Sequence, residues 1–314
     1  MPTTRPNAPA RLARRTTALA SALCAAVSIA GCGLADSGAS SQQLDTVVVG
    51  SANFTESILL GEIYAQALEA KGVDVDQQPN IGSREAYMQA IQGDNPSINV
   101  LPEYLGYLLE YYNDNIPDTS VDAVQTQLNK ELPATLDTLA VSDATDEDAI
   151  VVTQQTAKKY DLQSIADLKP VAGQMVAGGS PEFRTRHAGL AGMREEYGVE
   201  FKDYKTLDAG GPLSEDALLS NEIQVSDFFT TQSVIPEKNL VVLDDPKDII
   251  LPGNIVPVIR KDVPDRAKVE QTLDQISQVL TTEELSQMVA AVDEDKQPID
   301  NVAEQFLKEQ GLAG

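Results

Sequence analysis

Residues 46–72 read TVVVGSANFTESILLGEIYAQALEAKG. The β-branched run at 46–50 predicts a short buried strand, because branched side chains pack well on a pleated surface and glycine ends the run. Residues 51–56 form a polar turn, and from Ile58 to Leu68 apolar residues recur at helical spacing. Asn53 or Thr55 can cap that helix, and Lys71-Gly72 stops it. A strand that hands its carboxyl end to a turn beside a helix N-terminus is the repeating unit of an α/β fold. In such folds ligands settle beyond the strand ends.

Working outward, the same grammar repeats. Residues 73–77 alternate as a second strand, Gly82-Ser83-Arg84-Glu85 opens a helix, and 98–101 is an apolar strand running into Pro102-Glu103-Tyr104. A tyrosine-rich helix spans 104–112, and a further helix is predicted over 125–139, with Pro133 bending or breaking it. Strands follow at 149–153, 174–179, 201–204, 223–228, 240–243 and 255–259, with helices at 164–168, 189–197 and, amphipathically, from 264 to 312. This alternation predicts α/β lobes with largely parallel sheets. The loops at 51–56, 82–84, 102–104 and 178–186 are the strand ends at which a ligand is expected.

Composition narrows the function. The 314 residues carry 23 Lys+Arg against 48 Asp+Glu, a net charge of -25. So acidic a chain repels phosphate backbones and anionic lipid, which excludes nucleic acid as a partner. One His, two Cys and no Trp leave no His/Cys metal cluster, and no cofactor is called for. His187 would have to serve any Ser-His or Cys-His nucleophile, no serine stands in an elbow context, and no phosphate-binding G-x-x-x-x-G-K-[ST] loop occurs. An enzyme is not expected. Residues 1–31 have the parts of an export signal: Arg11, Arg14 and Arg15 precede an apolar run over 18–30 that is too short to span a membrane. The run ends Ile29-Ala30-Gly31-Cys32, which resembles a bacterial lipobox, so Cys32 is expected to carry lipid. Residues 32–44, rich in Ser, Gly and Ala, read as a flexible tether on the extracytoplasmic face.

Six segments in order resemble the substrate-binding lipoproteins of osmoprotectant ABC importers, which carry glycine betaine, choline or carnitine. They are GSANFTESILLGEIYAQALEAKG (50–72), NIGSREAY (80–87), LPEYLGYLLEYY (101–112), AGGSPEFRTR (177–186), LDAGGPLSEDALLSNEIQVSDFFTT (207–231) and LVVLDDPKDIILPGNIVPVIR (240–260). The resemblance covers nearly the whole mature chain. It implies a two-lobed periplasmic-binding-protein fold of type II, with lobe I at 45–152 and 252–314 and lobe II at 153–251. It further implies a monomeric receptor that closes on a small quaternary amine or zwitterion and delivers it to a permease and its ATPase. The same fold also serves receptors for other small cationic or amino-acid-like solutes, and non-transport sensors.

A quaternary ammonium donates no hydrogen bond, so the faces of aromatic rings must hold it by cation–π attraction. The resemblance places Tyr104 at the first cage position, with its hydroxyl left wet, and Tyr107 shares its helix face about one turn on. Tyr111 and Tyr112 are assigned to the core. Leu105 and Tyr107 stand where the family usually has PEYTGT, Asp148 stands where a cage tyrosine often precedes the hinge strand, and Leu190 replaces another tyrosine. Asp148 could pair directly with a ligand cation or be a solvated acid in an acid-rich stretch. A ligand carboxylate would need a planar fork, from Arg184 or Arg186, with Arg84 as runner-up. Asn53, Thr55 and Ser83 offer polar contacts from lobe I, Glu56 is read as a capping residue, and Phe229, Thr230 and Thr231 close the set from lobe II.

Overall fold

The structure, a computed structural model, describes residues 43–313. Ten strands form two five-stranded sheets. The first has the order β2 (Val75–Gln78), β1 (Val47–Gly50), β3 (Val100–Tyr104), β10 (Ile255–Arg260), β4 (Leu136–Thr138). The second has the order β7 (Asp203–Thr206), β6 (Val176–Gly179), β8 (Val225–Phe229), β5 (Asp148–Val152), β9 (Val241–Val242). Each sheet is mixed but mostly parallel. Four strands run the same way, and one, β10 in the first sheet and β5 in the second, runs against them and pairs antiparallel on both sides.

Strand β1 is buried along its whole length, which is why it reads as an unbroken apolar run rather than an alternating one. The following helix, Thr55–Ala70, buries Leu59, Leu60, Ile63, Tyr64 and Leu68 and packs against the C-terminal helix Ile299–Glu309. The opposite face of the sheet is covered by Met88, Ile91, Leu105, Leu108 and Leu128. The second sheet has its own apolar clusters, around Ile165, Leu168, Met175 and Met193 and around Leu218, Ile223 and Phe228. The predicted helix over 125–139 is shorter and earlier, Val121–Glu131, and the residues beyond Pro133 join the sheet as β4. Proline lacks the N–H that would continue the helix, and β10 offers those residues a ladder instead.

The chain crosses between the sheets twice, and the two crossings run side by side. Ser142 N donates to the Ile255 carbonyl at 2.9 Å, Ile255 N to that of Ala144 at 3.0 Å and Asp146 N to that of Gly253 at 3.0 Å. A side chain at Gly253 would have its Cβ 1.7 Å from the Asp146 carbonyl oxygen, so only glycine lets the crossings touch. Strand β5 lies wholly in the second sheet, so the first crossing precedes Asp148. The reading that kept residues up to 152 in lobe I placed it too late. An apolar run looks the same in either sheet, and only its pairing with β8 and β9 decides which sheet it joins.

Candidate functional site

A cleft of about 700 Å³ opens where the strand ends of both sheets meet. Its size is ordinary for a small-molecule site. Ten of the sequence candidates line it: Asn53, Thr55, Ser83, Arg84, Tyr104, Tyr107, Asp148, Arg186, Phe229 and Thr231. Arg184 and Thr230 are both exposed, and neither lines the cleft. Thr230 instead braces the first crossing, its hydroxyl accepting from Glu147 N at 2.9 Å and donating to Asp146 at 3.2 Å.

One wall is aromatic and draws on both lobes. Phe54, from the turn after β1, stacks obliquely on Tyr104 at the end of β3, ring centroids 5.9 Å apart, and on Phe229 at the end of β8, 5.3 Å apart. Phe54 escaped the sequence reading, although an aromatic residue in a polar turn between two candidate ligands was the available signal. The Tyr104 hydroxyl is not wet. It donates to Glu56 Oε1 at 2.8 Å in a residue only 6% exposed. Tyr107 is buried too, its hydroxyl accepting from the Asp148 backbone N–H at 2.8 Å. Tyr111, assigned to the core, is 36% exposed and meets Tyr112 edge-on.

Glu56 does not cap its helix. The N-cap position belongs to Phe54, without a side-chain cap, and Glu56 turns inward. Its Oε2 accepts from the Thr231 hydroxyl at 2.6 Å. Burial raises its pKa to about 7, partly offset by the bonds from Thr231 and Tyr104. Asp146 lies beside it, accepting from Thr231 N at 3.1 Å, and burial together with the Glu56 charge pushes its pKa well up. Asp148 and Asp227 are raised by burial as well, Asp148 to about 7. Nothing local in the sequence distinguishes Asp146 from its acidic neighbours. Asp227 did carry a signal, being a lone acid inside the apolar strand VSDFF (225–229).

The basic residues differ in what they are free to do. Arg84 is engaged by a fork to buried Glu103, Nε at 2.8 Å and Nη2 at 3.0 Å, and Glu103 also accepts from Tyr87 and from Tyr104 N. That network fixes the end of β3 and leaves Arg84 a positioning role. Arg186 reaches into the cleft from lobe II and meets Glu85 of lobe I at 3.2 Å. Ser83 donates to Glu85 at 2.6 Å, and Thr55 donates to Asp293 at 2.7 Å. Among the described residues no cluster fit to hold a metal ion occurs, and no helix is long and apolar enough to cross a membrane. Cys32 and the signal-like residues lie outside the described residues.

Two mixed α/β lobes, joined by paired crossings and sharing a polar-aromatic cleft, give the chain the fold of the type II periplasmic binding proteins. Within that class, residues 45–309 match the family described as the substrate binding domain of ABC-type glycine betaine transport systems, and the chain belongs to it. A glycine-betaine-binding protein of Pseudomonas aeruginosa is 31% identical over 86% of this chain and 89% of its own length. A carnitine transport binding protein of Listeria monocytogenes is 25% identical over 89% and 91%. A crystal structure described as a glycine betaine/carnitine/choline ABC transporter superposes with a TM-score of 0.64 at 22% identity, covering 85% of this chain and all of that one, which bears on the fold.

Proposed function

We propose that the cleft holds a small solute with a quaternary ammonium head and presents it, chemically unchanged, to the permease of an ABC importer. The observation that carries this reading is the aromatic wall Phe54–Tyr104–Phe229, contributed by both lobes and backed by the carboxylates Glu56 and Asp146. Ring faces attract a cation that cannot donate hydrogen bonds, by about 2 kcal/mol or more once water is excluded. A bound cation favours the ionised forms of the acids behind the rings, which adds to the attraction. Because the wall needs both lobes, the head favours the closed arrangement over the open one, which is how a clamshell receptor reports occupancy to its permease.

In the same reading Cys32 carries lipid and residues 32–44 tether a monomeric receptor outside the cytoplasmic membrane; the run Ile29-Ala30-Gly31-Cys32 supports this. Titration calorimetry with choline, glycine betaine and carnitine tests the ligand class. At least one should bind with micromolar or tighter affinity, and failure of all three to bind would overturn the reading.

A further inference from the structure

Beside Phe229 the cleft wall continues with two acids on neighbouring strands. Asp148 begins β5 and Asp227 lies on β8, diagonal neighbours in the antiparallel register that sets Asp148 against Phe229 and Ile150 against Asp227. Both side chains line the cleft. Asp227 is only 5% exposed, and its Oδ1 has no hydrogen-bond partner among the described residues. A buried carboxyl oxygen without a donor is unfavourable, and in a side chain that lines a ligand cleft it marks a place for a donor that the chain itself does not supply.

The surrounding charges sharpen this. Arg186 is the base beside the pair, and its guanidinium makes its hydrogen bonds to Glu85 across the cleft, at 3.2 and 3.5 Å. The Tyr107 hydroxyl accepts from the Asp148 backbone N–H and makes no hydrogen bond to either carboxyl, and that of Tyr204 donates to the Ser180 carbonyl at 2.5 Å. Asp146 adds a third acid nearby, and its interaction with Asp227 is repulsive. A ligand carboxylate placed here would add a buried negative charge among acids that burial already holds toward their neutral forms, beside an arginine shared with Glu85. A hydroxyl or a protonated amine would complete Asp227 instead.

The geometry points to Asp148 and Asp227 as a specificity subsite for the far end of the ligand, an end that is an O–H or N–H donor and not a carboxylate. This rests on the reading of the aromatic wall as the seat of the quaternary ammonium. Four probes sharing that head separate the possibilities in calorimetric titrations of the full chain: tetramethylammonium, choline, (2-aminoethyl)trimethylammonium and glycine betaine. Choline, its amine analogue, or both should bind about tenfold or more tighter than glycine betaine, and whichever leads identifies the donor as hydroxyl or protonated nitrogen. In Asp227→Ala the choline-to-tetramethylammonium affinity ratio should fall to about one, and Asp227→Asn should weaken the amine more than choline because charge is lost while an acceptor stays. Asp148→Ala gives a second route should Asp227→Ala fail to fold. Glycine betaine binding tighter than both donor probes, or an unchanged ratio in the alanine variants, overturns the subsite while leaving the aromatic site standing. Failure of all four to bind overturns both.

Discussion

The Thr231 hydroxyl donates to Glu56 Oε2 at 2.6 Å, a buried contact between a residue that follows a second-sheet strand and one on the first helix of the other lobe. The same carboxylate receives the Tyr104 hydroxyl at 2.8 Å. Lobe closure and the aromatic wall therefore share one side chain: whatever disturbs Glu56 moves a ring that faces the ligand.

Thr231→Val keeps the shape of the side chain and removes the donor. The closed arrangement loses a buried hydrogen bond and leaves an acceptor short of a partner, a loss of about 1–3 kcal/mol. Affinity for the cognate cation should drop by roughly 5- to 150-fold. Small-angle scattering should show the ligand-saturated wild type more compact than the free protein, with the variant needing more ligand to compact equally. Equal affinities in the two proteins would remove the contact from the closing mechanism.

The buried acids make stability depend on pH in a stated direction. Glu56 moves from 4.5 in the unfolded chain to about 7 in the fold, and Asp148 from 3.8 to about 7. Their protonated forms are the ones the fold accommodates, so their stabilisation is full below about pH 4 and is lost as pH rises through 7. Acids with lowered pKa, such as Asp262 beside Arg260, act oppositely but below that window. Free of ligand, the protein should unfold at a lower temperature at pH 8 than at pH 5.5, and Glu56→Gln should flatten the slope. A melting temperature that rises across this range contradicts the assignment.

Tyr104 separates ring from hydroxyl. Tyr104→Ala removes a wall of the cation site and should weaken binding by about 1–3 kcal/mol. Tyr104→Phe keeps the ring but deprives Glu56 of a donor, so a further loss of about 1 kcal/mol in stability is expected, visible in thermal unfolding. Phe54→Ala should resemble Tyr104→Ala, because Phe54 touches both other rings. Wild-type affinity in both alanine variants would place the cation elsewhere.

Cys32→Ser tests the anchor. Fractionated cells should show the variant in the soluble extracytoplasmic fraction or the medium, with the ligand affinity of the wild type, since Cys32 lies far in sequence from every cleft residue. Continued membrane retention would defeat the lipid reading.

Much of this protein is legible in its linear order. Periodicity located β1 and its helix, because a fully buried strand is a short unbroken β-branched run whereas the helix repeats its apolar residues at helical spacing. The positions of Tyr104, Asp148, Arg186 and Phe229 after or at strand ends brought them to the cleft. The tertiary structure decided the rest. Whether β5 belongs to the first or second sheet depends on which strand offers it a ladder, and hydrogen-bond pairing leaves no trace in an apolar run. Of three arginines of one type, Arg84 is taken by Glu103, Arg184 faces solvent and Arg186 reaches the ligand space, a sorting made by neighbours up to 101 residues away. Glu56 reads as a helix cap in sequence and is a buried interlobe acceptor in space, because Thr231, its partner, lies 175 residues further along the chain. Local propensity acts over a few residues, whereas desolvation and pairing are set by whatever the fold carries to the same point.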